Sequence, residues 1–232
     1  MYGCFEGING HFRPFLPEAQ TKIGAMPSNS APPAKKSFKV QMLLARESAI
    51  IETVNRLLAE KGFEAMTVDE VAAEVGIAKA SLYKHFSSKE ELACAAMVRA
   101  MQRAQTFIAE LNPAGVPMDK LKAVTRWTMQ LKLQGQMPSL PSQNSSLRAT
   151  LMASQAYMNG LMQVSDVLGG WIEQAQAQGA INPQLPAIAV LYTLYARACD
   201  PVLEFLKMGN DLSDEAVLDM VMSSCFEGLQ AR

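Results

Sequence analysis

The 232-residue chain is short of the side chains that carry most catalytic and metal chemistry. It has two histidines, His11 and His85, and four cysteines, Cys4, Cys94, Cys199 and Cys225, with no CxxC pair and no cysteine beside a histidine. That spacing argues against a zinc site, and a chain this long can bury a full core without a disulfide staple. The thiols are expected as buried or incidental groups of a reducing cytoplasm, and no metal or cofactor is expected. No P-loop, dinucleotide fingerprint or nucleophile elbow is present. Apolar runs always break before the ~18–20 residues that a membrane span needs, so no membrane partner is expected. Aromatic residues are few, at 7%, whereas methionines are many, at fifteen.

A strong excess of positive charge is also missing. The formal net charge of −1 would ordinarily weigh against a nucleic-acid partner. The total, however, averages unlike parts. Residues 1–34 are balanced, residues 35–103 carry +2, and residues 104–232 carry −3. Two stretches of the middle segment contain no acid: Lys35 to Arg46 with four positive charges, and Gly76 to Lys89 with three. Screening confines electrostatic contact to about 10 Å, so local density matters more than the total.

Residues 1–34 hold five of the twelve prolines and a Pro/Ser/Ala/Asn patch from Pro27 to Ala34, with no helical or alternating period. A flexible extension over residues 1–40 is expected there. It has neither the basic start nor the apolar stretch of a signal peptide. Translation from Met26 or Met42 is one alternative, and a backbone-touching arm made by Lys35, Lys36 and Lys39 is another.

From Gln41 onward the pattern is helical. Leu43, Ile50, Ile51, Val54, Leu57 and Leu58 recur at three- and four-residue steps on one helix face, which Gly62 ends. Thr67-Val68-Asp69-Glu70 forms a capping box opening a short helix to Val75, where Gly76 permits a tight turn. A further short helix is predicted over Lys79–His85. Ser88-Lys89-Glu90-Glu91 is a second capping box, launching a long helix toward Glu110 that Asn112-Pro113 stops. Helices then follow over Met118–Leu133, Ser145–Gln178 (divided near Ala153), Pro186–Leu206, and from Ser213 to about Leu229. The expected fold is all-α, about nine helices. A three-helix domain over 41–88 precedes a second helical domain over 89–232.

The region Thr67–Phe86 is helix, glycine turn, helix, with Val71, Ala72, Val75, Leu82 and Phe86 inward and Ile77 plugging the junction. In that layout the second helix enters the DNA major groove. Stepping round it at 100° per residue turns Ala80, Ser81 and Lys84 outward, with Tyr83 and His85 flanking and Lys79 at the edge. Small residues let the backbone approach base edges, and the cations and hydroxyls suit phosphates and base acceptors. Thr67 and Lys89 begin helices on either side, and helix N-termini attract phosphate. Standing alone, the Lys79–His85 run would read equally well as a solvated amphipathic helix.

Residues 45–92 resemble the N-terminal DNA-binding domain of TetR/AcrR-type transcriptional regulators. The resemblance lies in Ala45, Ile50, Ala59, Gly62-Phe63, Thr67-Val68, Val71-Ala72, Gly76-Ile77, and above all Lys79-Ala80-Ser81-Leu82-Tyr83-Lys84-His85-Phe86 with Lys89-Glu90-Glu91-Leu92. Ala78 departs from it, standing where the family usually has a capping side chain. That loss costs about 0.5–2 kcal/mol in typical hosts. The resemblance implies that Tyr83 and Lys84 contact DNA together with Lys79, Ala80 and Ser81. It implies that Thr67 and Lys89 hold the phosphate backbone, and that Leu82 and Phe86 are structural. It further implies a dimer on a pseudo-palindromic double-stranded operator, usually a repressor, released by a small molecule held in the C-terminal domain.

Pro186–Leu206 is apolar on nearly every side and the last helix adds Val217, Leu218, Val221, Met222 and Phe226. Together they suggest two helices packing on the same pair of a second chain, with a buried monomer core as the alternative. Arg197 and Asp200 are spaced to pair with each other or across that interface. Trp127, Met152, Tyr157, Trp171 and Tyr192, with Met129, Met137, Met158 and Met162, are candidates for an adaptable, mainly apolar effector pocket. The same residues would also serve as plain bundle core. A helical protein acting through protein partners, or an enzyme assembled from distant carboxylates, are the competing classes.

Overall fold

The computed structural model describes residues 38–209 and 211–228. The extension predicted over 1–40 lies outside the described residues up to residue 37, with its Lys35 and Lys36, whereas residues 38–40 already belong to the first helix; the helix end predicted at Leu229 also lies outside them. Among the described residues all regular structure is helical. The helices are α1 (Phe38–Ala65), α2 (Val68–Val75), α3 (Lys79–Leu82), α4 (Lys89–Glu110), α5 (Pro117–Leu133), α6 (Ser146–Ala153), α7 (Gln155–Ala177), α8 (Ala187–Arg197), α9 (Val202–Lys207) and α10 (Asp214–Phe226).

The boundaries follow local chemistry. Thr67 Oγ1 accepts from the Glu70 N–H at 3.3 Å, opening α2. Gly76, at φ 71° and ψ 34°, closes it: its N–H donates to Ala73 O at 3.2 Å and the Ile77 N–H to Ala72 O at 3.0 Å. That pair of bonds satisfies carbonyls the helix end would leave orphaned, and glycine takes the positive φ without steric cost. Ser88 caps α4 through the Glu91 N–H at 3.0 Å. The Glu91 carboxylate reaches back to the Ser87 N–H at 2.6 Å, one residue earlier than an ideal capping box. Ser154 divides α6 from α7 and caps the latter through the Tyr157 N–H.

Three boundaries differ from the sequence expectation. Gly62, at φ 76°, interrupts α1, yet one further turn runs to Ala65 before the chain leaves the helix. The helix expected over Lys79–His85 is regular only to Leu82. Beyond it the N–H groups of Lys84 and His85 bond carbonyls three residues back, on Ser81 and Leu82, at 3.3 and 2.9 Å. The single helix expected over Pro186–Leu206 is two, because Pro201 lacks an N–H and its ring clashes with a preceding carbonyl. Asp200 fixes the corner: Oδ1 accepts from the Val202 N–H at 3.0 Å and Oδ2 lies 2.5 Å from Arg197 Nη1. The Arg197–Asp200 pair therefore forms within the chain, with the Asp200 side chain nearly buried.

The core falls into three clusters. The first joins Ile50, Val54 and Leu58 of α1, Val71 of α2 and Leu82 to Leu92–Met97 of α4, Leu147 and Leu151 of α6, and Tyr157. The second packs α5, α7 and α8 around Leu121, Leu168, Ile172 and Leu191. The third gathers Met129, Leu203, Val217, Leu218 and Val221 where α5, α9 and α10 meet. Helix α4 spans the first two, since Ala104, Phe107 and Ile108 near its far end pack on the second cluster.

Candidate nucleic-acid interface and ligand cavity

Leu82 and Phe86 are buried, and this fixes the rotation of α3 and the turn after it. Lys79, Ala80, Tyr83 and Lys84 face solvent, Tyr83 with 45% of its surface exposed, while Ser81 and His85 are half-buried. The Lys79 ammonium lies 2.9 Å from Asp69 of α2, which raises its affinity for its proton and docks the start of α3 on α2. Both partners are largely exposed, so the pair adds little stability and can exchange for a phosphate. Thr67 is exposed at the α2 N-terminus. Lys89 folds back instead: its ammonium donates to Glu64 O at 3.3 Å and sits 4.3 Å over the Phe63 ring. It thus ties the start of α4 to the end of α1. Ion pairs of Arg56 with Glu74, and of Lys61 with Glu70, join α1 to α2, and the Lys61 contact holds the Glu70 carboxyl below its usual range.

A cavity of about 220 Å³ opens between α4, α5, α6, α7, α8 and the segment linking α5 to α6. Of the nine aromatic and methionine candidates in the sequence, Trp127, Met137, Met152, Tyr157 and Met158 line it. Trp127 is braced by Phe107, its ring stacked at 4.6 Å and 9°. Trp171 and Tyr192 lie off the cavity. Its wall on α7 ends at Leu168 and on α8 begins at Leu194, so Trp171 falls about one turn beyond it and Tyr192 about half a turn before it. Trp171 packs instead on the second core cluster, with the Lys120 ammonium 5.3 Å from its ring. Tyr192 is half-buried, and burial pushes its phenol pKa up. Met129 is wholly buried in the third cluster, and Met162 is exposed.

Two groups that the sequence reading passed over complete the site. Tyr195 lines the cavity and lies 2.8 Å from Ser165 Oγ; burial pushes its phenol pKa up to about 12. Arg148 of α6 also lines it, half-buried. The α5–α6 segment supplies Met137, Pro138, Leu140 and Pro141 to the wall. The same segment is pinned to α1: Asn55 Nδ2 donates to Gln136 O at 2.8 Å, and the Ser139 N–H donates to Leu58 O at 3.3 Å. Among the described residues no cluster of three or more metal-ligating side chains occurs, and no helix is long and apolar enough to cross a membrane.

These elements define an all-helical protein with an N-terminal helix-turn-helix domain and a helical body that encloses an apolar cavity. Residues 50–96 match the family model described as "Bacterial regulatory proteins, tetR family". Residues 50–96, which include the helix-turn-helix, are thus the part of the chain that resembles that family. Over 47 residues it is 51% identical to YerO of Bacillus subtilis, an HTH-type transcriptional regulator, covering 20% of this chain and 16% of that protein. Over 43 residues it is 46% identical to IcaR of Staphylococcus aureus strain Newman, the HTH-type negative transcriptional regulator of the biofilm operon icaADBC, covering 18% and 23%. The matched segments thus span less than a quarter of either relative. The fold as a whole is similar to that of the fatty acid degradation regulator FadR from Bacillus halodurans, with TM-score 0.62, 20% identity, and coverage of 81% and 97%. It is also similar to AibR in complex with isovaleryl coenzyme A and operator DNA, with TM-score 0.56, 22% identity, and coverage of 78% and 98%.

Proposed function

We propose that the protein is a cytoplasmic transcriptional repressor that binds a pseudo-palindromic DNA operator as a homodimer and releases it when a small, mainly apolar effector fills the cavity. The observation that carries this reading is the exposure of Tyr83 and Lys84 beside buried Leu82 and Phe86 in a capped helix-turn-helix. Tyr83, Lys84, Ala80 and Ser81 read bases. Thr67 and Lys79 meet phosphates, Lys79 after giving up Asp69, and His85 flanks them. Lys89 contributes by holding α4 against α1 or, swung outward, by adding a phosphate contact. The negative regulator IcaR supports the repressor role, and AibR, solved with both an acyl thioester and operator DNA, supports a body that takes a ligand beside a domain that takes DNA.

Exposed Ile188 of α8, Val202 and Phe205 of α9, Met208 just after it, and Met220 of α10 support the dimer. Large apolar side chains left in solvent on these helices would be covered by the same elements of a second copy. Selection from a random pool of DNA duplexes tests the whole reading. An inverted repeat should be enriched, with affinity falling steeply as salt rises. Tyr83→Ala combined with Lys84→Ala should weaken binding to that repeat by about 100-fold or more while leaving helicity unchanged. Undiminished binding by the double variant would overturn the assignment.

A further inference from the structure

Resting on the reading of the cavity as the effector site, we infer that its ligand is an amphiphile with a medium-length aliphatic chain and an anionic head, held at that head by Arg148. The cavity wall is almost wholly apolar, built from side chains such as Met97, Met101, Trp127 and Leu161. The hydroxyl protons of Thr125, Thr128 and Tyr195 are already donated. Thr125 donates to Leu121 O at 2.8 Å, Thr128 to Thr125 O at 2.8 Å, and Tyr195 is bonded to Ser165. No Asp or Glu lines the cavity, and Arg148 is its one charged side chain among the described residues. A cationic head would find no counter-charge there, and a sugar or nucleotide would leave its hydroxyls unpaired.

The volume sets the chain length. A dry cavity of about 150 Å³ takes one benzene, so on the same scale about 220 Å³ takes roughly nine non-hydrogen atoms. That corresponds to a chain of about eight carbons. Arg148 lines the cavity half-buried, one helical turn before the half-exposed Met152. Guanidinium matches a carboxylate in a bidentate fork, which a neutral head cannot reproduce.

Calorimetric titration with octanoate, 1-octanol and octylammonium decides the matter. Octanoate should bind the wild-type protein about 10-fold or more tightly than 1-octanol, and octylammonium more weakly than either. Arg148→Ala should bind octanoate and 1-octanol alike while keeping wild-type affinity for 1-octanol, which also reports an intact cavity. Arg148→Lys should restore part of the preference. Equal binding of octanoate and 1-octanol by the wild-type protein would overturn the inference, and so would an Arg148→Ala protein that still prefers octanoate. Binding to the selected DNA repeat, measured in the same samples without any probe, stands or falls separately and tests the regulator reading alone.

Discussion

Gly160 of α7 lies so close to Met101 of α4 that a β-carbon on the glycine would stand 2.9 Å from the β-carbon of the methionine. The α7 backbone packs there directly on the base of the Met101 side chain, beside the cavity that Met101 lines. The contact sets how closely the helix that begins at the DNA-binding domain can lie against the body.

Gly160→Ala should therefore separate the two helices. Overpacking of this kind costs about 1–3 kcal/mol, offset by up to about 1 kcal/mol from the better helix propensity of alanine. Gly170, ten residues further along the same helix, has nothing within 4 Å of its would-be β-carbon. Gly170→Ala should stabilise by about 0.5–1 kcal/mol. Thermal unfolding of the two variants should shift in opposite directions, and stabilisation by both would show that the α4–α7 contact yields freely.

The second prediction concerns alkaline pH. Ser165 has a single hydroxyl proton, and it is donated to Leu161 O at 2.7 Å, so the Tyr195 hydroxyl donates to Ser165 Oγ. Burial raises the folded-state pKa of Tyr195 to about 12. The associated stability is present below the ordinary phenol value of about 10 and is lost as pH rises from there toward about 12. Tyr195→Phe should cost about 1 kcal/mol at neutral pH and lessen the alkaline loss. Denaturant midpoints from pH 8 to 12, a range of about four units around that value, would show parallel curves if the phenol were not the source.

At acid pH the sign reverses. The Glu90 carboxyl is held below its usual range, chiefly by the hydroxyl of Ser146, which donates to it at 2.8 Å and joins α4 to α6. Glu91 is held down by Ser87. Lowered carboxyls contribute above their unfolded-state pKa, and the contribution disappears as pH falls through the folded-state value. Both groups are well solvated, so the effect is small. Glu90→Gln should be slightly less stable than the wild type at neutral pH and equal to it once pH lies below the carboxylate range, as urea midpoints will reveal.

Phe205→Asp tests the dimer. Phe205 is 65% exposed in the single chain, so the substitution should leave the fold intact. Sedimentation should show a monomer, and affinity for the DNA repeat should drop as the two half-sites lose their coupling. A dimer of wild-type strength would place the interface elsewhere.

Much of this was legible in the sequence because short-range chemistry announces itself. Thr67, Gly76, Ser88 and Ser154 are capping or turn residues whose partners lie within a few positions, and α4 ends at Glu110 as the Asn112-Pro113 stop predicts. Pro201 was masked by the apolar run around it, although a proline inside a helical pattern is a signal in its own right. The cavity was only half legible. Helical periodicity assigns Trp171 and Tyr192 to the same faces as true wall residues, but it cannot tell where along the helix the wall ends. Arg148 carries no local signal that separates it from a solvated charge, and the Ser165–Tyr195 bond joins residues thirty positions apart. Those features depend on how helices meet, which no local pattern encodes.

Helix α4 is unbroken for 22 residues. At 1.5 Å per residue, its first residue, Lys89, stands about 18 Å along the axis from Met101 at the cavity, so a tilt of about 5° there sweeps it by about 1.5 Å. Gearing of that kind turns a displacement smaller than one methyl group at the cavity wall into a misfit comparable to half a base-pair step. In the proposed dimer, two mirrored levers would double it across the operator. A stiff rod with its fulcrum at a glycine would ask very little of an effector in the cavity.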